Sequence, residues 1–107
     1  MGKLVRLANV SEIQEDKPQA FKVDGEEVFV INFQGQLYAI ENRCTHLGCI
    51  LSNFYSLDGK EITCKCHLAR FDITTGICII PPTIGLKVNP LKTYRIVVEN
   101  SDVFLDL

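Results

Sequence analysis

Two short segments, "CTHLGC" at Cys44–Cys49 and "CKCH" at Cys64–His67, carry the most distinctive chemistry of this chain. Together they contain four of its five cysteines and both of its histidines. Each segment offers one thiol and one imidazole as a mixed pair: Cys44 with His46, and Cys64 with His67. Four such ligands suit zinc or an iron–sulfur cluster, and their spacing alone does not decide between the two.

Outside these segments the sequence is typical of β-structure. Apolar and polar residues alternate from Leu4 to Asn9, and Asp24-Gly25 and Gln34-Gly35 separate three short β-rich runs. Both pairs are hairpin signals, because glycine adopts the left-handed backbone that tight turns need. Two more strands are expected around the polar turn 99–102. We therefore predict an all-β chain of about eight to ten mostly antiparallel strands.

Only one helical turn is expected, in "SEIQED", where Ser11 and Gln14 stand at capping-box spacing. The segment at about 43–82 breaks the regular strand rhythm, since it concentrates cysteine, histidine, glycine and proline. We interpret the chain as a single domain over residues 1–107, with a site-bearing insertion at about 43–82. Within it, Cys78 in "ICII" is predicted to be a buried strand residue.

Composition removes several classes of function. The formal net charge is -2 and no basic stripe is present, so nucleic acid is not an expected partner. Apolar runs such as Ile77–Ile80 are far shorter than the roughly 20 residues that span a bilayer. The first ten residues resemble neither a signal peptide nor an acylation site, so a cytoplasmic location is expected. The oligomeric state is left open.

The two segments resemble box one and box two of the Rieske iron–sulfur proteins. The likeness continues through "RFDITTGICIIPPTIGLKVNPLKTY", which is similar to the strand, turn and proline loop that follow box two in that family. The resemblance implies an antiparallel β fold with a small inserted cluster-binding subdomain. It also implies one 2Fe–2S cluster per chain.

The resemblance further assigns roles to individual residues. One iron would be held by Cys44 and Cys64, and the other by His46 and His67. Cys49 and Cys66 would form a disulfide between the two loops; two free thiols are the alternative, because the cytosol keeps most cysteines reduced. The remaining expected roles are cluster shielding or docking, by Leu47, Leu68, Pro81 and Pro82.

The same comparison predicts a reduction potential in the lower part of the Rieske range. Quinol-oxidising members follow the second box with glycine, serine, any residue and tyrosine, and both hydroxyls bond cluster or cysteine sulfur. This chain has Ala69 and Phe71 at the two hydroxyl positions. Each missing bond, worth about 1.5–3 kcal/mol, would lower the potential by roughly 60–130 mV. Lys65 opposes this by at most roughly 40 mV.

We therefore interpret the chain as a soluble Rieske ferredoxin, an electron-transfer protein and not itself an enzyme. Its expected partners are a reductase donor and an oxygenase or other redox acceptor. Both histidines are assigned to the cluster, so none remains for the mononuclear iron site of an oxygenase. Two alternatives stay open: the soluble domain of a respiratory, quinol-oxidising Rieske protein, and a structural zinc module.

Overall fold

The computed structural model describes residues 3–15, 17–44, 48–83 and 88–107. Within these ranges the chain forms ten strands and every strand pairing is antiparallel, so the predicted all-β fold is confirmed. The strands are β1 (Leu4–Asn9), β2 (Gln19–Val23), β3 (Glu26–Phe33), β4 (Gln36–Glu41), β5 (Tyr55–Asp58), β6 (Glu61–Cys64), β7 (Ala69–Asp72), β8 (Cys78–Ile80), β9 (Thr93–Glu99) and β10 (Asp102–Asp106).

Six strands form the larger sheet, in the order β1-β10-β9-β4-β3-β2. Its β2–β3 and β3–β4 hairpins turn at the two predicted pairs. Asp24 and Gly25 have φ of 49° and 81°, and Gln34 and Gly35 have φ of 54° and 85°. Positive φ at both central residues is the geometry of the type I′ turn, whose twist matches that of the flanking strands. These local signals therefore place three neighbouring strands in register.

Strand β3 is buried on both faces and separates two hydrophobic cores. Val28 and Val30 belong to one core, which is formed mainly by residues of the larger sheet. Phe29 and Ile31 belong to the other core. Side chains alternate between the faces of a strand, so one apolar run supplies both cores. We call the second one the shared core; it consists of Phe29, Ile31, Ile40, Cys44, Leu51, Ile62, Cys64, Ala69, Phe71, Ile73 and Leu91.

The smaller sheet has the order β5-β6-β7-β8 and lies within the segment predicted to carry the site. The turn between β7 and β8 is hydrogen-bonded to the segment that precedes β9, since the backbone N–H of Leu91 donates to the carbonyl of Gly76 at 2.8 Å. Gly76 has φ of 80°, and a Cβ placed on it would lie 2.0 Å from the Leu91 carbonyl oxygen. Only glycine allows this close approach between the two parts of the fold.

The predicted helical turn exists but begins earlier than expected. A 3₁₀ turn spans Val10–Glu12 and is capped by Asn9, whose side chain accepts from the Ser11 N–H, while Glu12 accepts from the Asn9 N–H. The assignment of the capping box to Ser11 and Gln14 is therefore wrong by two residues. A second 3₁₀ turn, at Leu51–Asn53, was not expected. None of the helices in the described ranges has the length and apolar character needed to cross a membrane.

Candidate metal centre

The two cysteine–histidine segments form loops closed by the same hydrogen bonds. In the first loop, the Cys44 N–H donates to the carbonyl of Cys49, and the Gly48 N–H donates back to the carbonyl of Cys44, both at 2.8 Å. In the second loop, Cys64 is paired with Ala69, and the Leu68 N–H donates to the carbonyl of Cys64 at 2.8 Å. Each loop therefore starts at a cysteine and returns to it four residues later.

The position that completes each loop has a left-handed backbone. Gly48 has φ of 77° and Leu68 has φ of 65°. Glycine adopts this conformation freely, whereas a residue with a Cβ pays about 1–2 kcal/mol. Leu68 is also 54% exposed, so the burial of its side chain offsets little of this conformational cost. The second loop is thus strained at a residue that projects into solvent.

Replacing Leu68 by glycine is expected to stabilise the chain by about 1 kcal/mol, because the left-handed backbone would no longer carry a Cβ. The midpoint of urea unfolding should rise at an unchanged m-value. Leu68→Ala is the matched control, since it removes the same exposed side chain and keeps the Cβ. Equal midpoints for the glycine and alanine variants would show that strain at this position does not exceed the extra chain entropy that glycine loses on folding, about 0.4–1 kcal/mol.

Three cysteine sulfur atoms, one from the first loop and two from the second, lie close together. Cys44 and Cys64 are 3% and 1% exposed and belong to the shared core. Cys49 and Cys66 are joined by a disulfide that links the first loop to the second. The Cys64 sulfur lies within 4.8 Å of both sulfur atoms of that bridge. The disulfide therefore lies directly beside one of the predicted metal ligands.

The second histidine is held from the proline loop. The backbone carbonyl of His67 accepts two hydrogen bonds from Thr83, one from its backbone N–H at 2.8 Å and one from its side-chain hydroxyl at 3.2 Å. The Nδ1 atom of His67 is buried. Of the predicted shielding residues, Pro82 is buried while Leu68 and Pro81 are exposed. The predicted residues His46 and Leu47 lie outside the described part of the chain.

The base of the first loop depends on a residue that the sequence did not single out. Asn42 is only 4% exposed, and its side chain bonds both the hydroxyl and the backbone N–H of Ser52, at 2.9 and 2.8 Å. Its backbone N–H donates to the carbonyl of Glu27, and its carbonyl accepts from Leu51. The sequence signal that could have identified this residue is a lone asparagine at the end of an apolar run. Asn42 ties the first loop to both strand β3 and the second 3₁₀ turn.

The nearby cations differ in whether they have partners. Arg43 pairs with Glu27 at 2.6 Å and also reaches the carbonyl of Gly48. Arg70 pairs with Glu61 at 3.0 Å. Lys65 takes part in none of the ion pairs found among the described residues and is exposed. Of these three cations, Lys65 is therefore the one without an ion pair among the described residues.

Cys78 lies on strand β8 as predicted but is only partly buried. Its sulfur contacts the carbonyl of Ile80 at 3.3 Å, and burial raises the pKa of its thiol. The expectation of full burial is wrong because β8 is the edge strand of the smaller sheet and has a neighbour on one side only. Cys78 does not belong to the close sulfur group found among the described residues.

The described donor atoms suit an iron–sulfur group. Thiolates and imidazoles are ligands that iron accepts, and such groups are held in surroundings that limit access of water. Cys44 and Cys64 present their sulfur atoms within the shared core, and the Nδ1 atom of His67 is buried nearby in the chain. The residues present therefore fit a 2Fe–2S cluster.

Comparison with known proteins gives consistent matches. The family model described as "Rieske [2Fe-2S] domain" matches residues 3–95. The ferredoxin component of the naphthalene 1,2-dioxygenase system of Pseudomonas putida is 34% identical over 105 residues, which are 98% of this chain and 96% of that protein. The ferredoxin of carbazole 1,9a-dioxygenase from Nocardioides aromaticivorans IC177 has a TM-score of 0.84 at 33% identity, over 96% of both chains.

A second kind of structural match covers only part of the other protein. In a carbazole-bound oxygenase–ferredoxin complex of carbazole 1,9a-dioxygenase, the matched chain has a TM-score of 0.85 at 28% identity. The match covers 95% of the present chain but only 27% of the chain in the complex. The fold, the two boxes and the matches agree, and family membership implies one 2Fe–2S cluster per chain. The chain belongs to the Rieske [2Fe-2S] domain family.

Proposed function

We propose that this chain is a Rieske ferredoxin that accepts one electron from a reductase and delivers it to an oxygenase. The observation that carries the proposal is the end-to-end match to a ferredoxin of a dioxygenase system, over 96% of both chains. The match to the chain in the oxygenase complex spans only 27% of that chain. Together these matches support a carrier role, with the chemistry on the substrate left to the partner.

We propose that Cys44 and Cys64 hold one iron and that His46 and His67 hold the other. The equivalent backbone bonds of the two loops support this assignment, because they give each loop the same frame for its cysteine. The burial of both cysteines in the shared core supports it as well. The cluster supplies a centre that takes up and releases one electron.

The remaining residues exclude water and keep the ligands in place. Asn42 and the disulfide fix the first loop, while strands β6 and β7 fix the second. His67 is only partly buried. The exposed Leu68 follows it in the second loop, and the exposed Pro81 lies in the proline loop that is hydrogen-bonded to His67 through Thr83. We propose that the chain presents this side, with an apolar rim, to its electron donor and acceptor.

The reduction potential is expected in the lower part of the Rieske range of about -150 to +300 mV. Ala69 is cross-strand partner of Cys64, and both Ala69 and Phe71 lie in the shared core without a hydroxyl. Ala69→Ser and Phe71→Tyr should each raise the midpoint potential by roughly 60–130 mV, because each new hydroxyl can donate a hydrogen bond to sulfur. A redox titration followed by absorption and repeated across pH measures this.

Phe104→Tyr is the control, because it makes the same change on strand β10 of the larger sheet. It should leave the midpoint unchanged. A wild-type midpoint in the upper part of the range, falling with pH from near neutrality, would instead support the respiratory alternative. Family membership favours the cluster over the structural zinc alternative.

Two broader expectations remain proposals. The first is a single domain over residues 1–107 with its cluster-binding part at about 43–82. The second is a cytoplasmic location. The first is supported by the smaller sheet, whose strands all lie between Tyr55 and Ile80 and share a core with the larger sheet.

A further inference from the structure

The Cys64 thiol and the disulfide form a compact group of three sulfur atoms. The atoms of Cys49, Cys64 and Cys66 all lie within 4.8 Å of one another, and two of them are already bonded. We propose that Cys64 attacks this disulfide whenever it is not held by metal, so that bound iron protects the bridge from rearrangement. The inference rests on the proposed role of Cys64 as a ligand.

The exchange conserves atoms and electrons without any added oxidant. When iron leaves, the Cys64 thiolate attacks the sulfur of Cys49; the Cys49–Cys66 bond breaks and a Cys49–Cys64 bond forms. The electron pair leaves on the Cys66 sulfur as a thiolate, in an ordinary thiol–disulfide exchange. The chain has one disulfide before the step and one after it.

Attack on Cys49 is favoured over attack on Cys66 for a topological reason. The original bridge joins residues 17 apart, and the Cys49–Cys64 product would join residues 15 apart, so the loop-closure entropy hardly changes. Attack on Cys66 would instead link two residues of the same loop and release the first loop. The favoured product therefore keeps the two loops crosslinked.

The other two cysteines are less well placed for this reaction. Within the described ranges, the close sulfur group includes neither Cys44 nor Cys78. Cys64 is 1% exposed, so it is shielded from thiol reagents in solution while its path to the disulfide is internal. Loss of iron therefore directs one particular thiol towards one particular bond.

The product has a consequence for cluster assembly. With its sulfur in a disulfide, Cys64 cannot bind iron, and Cys66 takes its place as the available thiol on the second loop. The rearranged chain cannot be reloaded with iron and sulfide until Cys64 is released, either by attack of the Cys66 thiolate on Cys49, which reverses the exchange, or by an added reductant. The cluster and the Cys49–Cys66 disulfide thus stabilise each other during assembly and turnover.

The test starts from the loaded Cys78→Ser chain, in which the unrelated thiol is absent. Iron is removed with a chelator, without oxygen or added thiols. Samples taken over time are unfolded in denaturant that contains excess iodoacetamide, so that buried thiols are alkylated as well, and are mapped by mass spectrometry. We expect alkylated Cys44 and Cys66 together with a Cys49–Cys64 bridge. Samples kept loaded should retain the Cys49–Cys66 bridge.

Two outcomes would overturn the proposal. One is a metal-free chain that keeps Cys49–Cys66 and is alkylated at Cys64. The other is indiscriminate scrambling, with Cys44 found in bridges as often as Cys64. The metal-free Cys64→Ala chain should keep the original bridge, and a red-brown Cys64→Ala protein with normal iron content would contradict the ligand assignment instead. Failure of the exchange and failure of the proposed function therefore give different results.

Discussion

Cys64→Ser is expected to abolish cluster binding. The purified chain should lose the red-brown colour, the acid-labile sulfide and nearly all of its iron. Removing a hydrogen-bond partner of a metal ligand already lowers metal affinity by about 10–100-fold, and removing the ligand itself should cost more. The loss should be severe here because Cys64 is 1% exposed, so the ligand that is removed lies inside the protein, among the residues of the shared core.

Cys78→Ser is the matched control for this experiment. It replaces a cysteine only fourteen positions away in sequence, on strand β8, whose sulfur lies outside the close sulfur group of the described residues. Iron and sulfide, measured chemically on both variants, should be normal in Cys78→Ser. Cys64→Ala, which offers no oxygen in place of the sulfur, should lose the cluster as well, and normal iron and sulfide in that variant would rule out Cys64 as a ligand.

Gly76→Ala should destabilise the fold by about 3–8 kcal/mol. The left-handed backbone costs a Cβ about 1–2 kcal/mol. The new Cβ would also lie 2.0 Å from the Leu91 carbonyl oxygen, so the backbone must move and the bond from the Leu91 N–H is lost. Overpacking and a lost buried bond each add about 1–3 kcal/mol. Urea unfolding of both chains measures the difference.

Gly35→Ala separates the two contributions. Gly35 has φ of 85°, close to that of Gly76, but nothing lies within 4 Å of the position of its Cβ. Its substitution should cost only about 1–2 kcal/mol, from the backbone conformation alone. Equal losses in the two variants would show that the contact between Gly76 and Leu91 does not hold the two sheets together.

The strands and hairpin turns were predictable because they depend on neighbouring residues. Alternation of side chains identifies a strand within a few positions, and a glycine at a turn reports its own backbone angles. The capping error arose where the local signals were ambiguous. Asn9 and Ser11 are both good caps, and the choice was made by a distant contact, since the Val10 N–H bonds the carbonyl of Ser101.

The family and its cofactor were accessible from the spacing of a few reactive residues, because that spacing is short and the residue types are rare. Contacts between remote parts of the chain could not be predicted from such spacing. The burial of Asn42 against Ser52, the incomplete burial of Cys78 on an edge strand and the strain at Leu68 all depend on which segments meet.

The sequence by itself determined the β class, the two cysteine–histidine boxes and the family to which they belong. Only the tertiary structure decided that Gly76 touches Leu91, that Gly48 and Leu68 complete equivalent loops, and that Cys64 lies beside the disulfide. The physical reason is range. Backbone sterics and ligand chemistry act within a few residues, whereas close approach depends on how two sheets pack around the shared core.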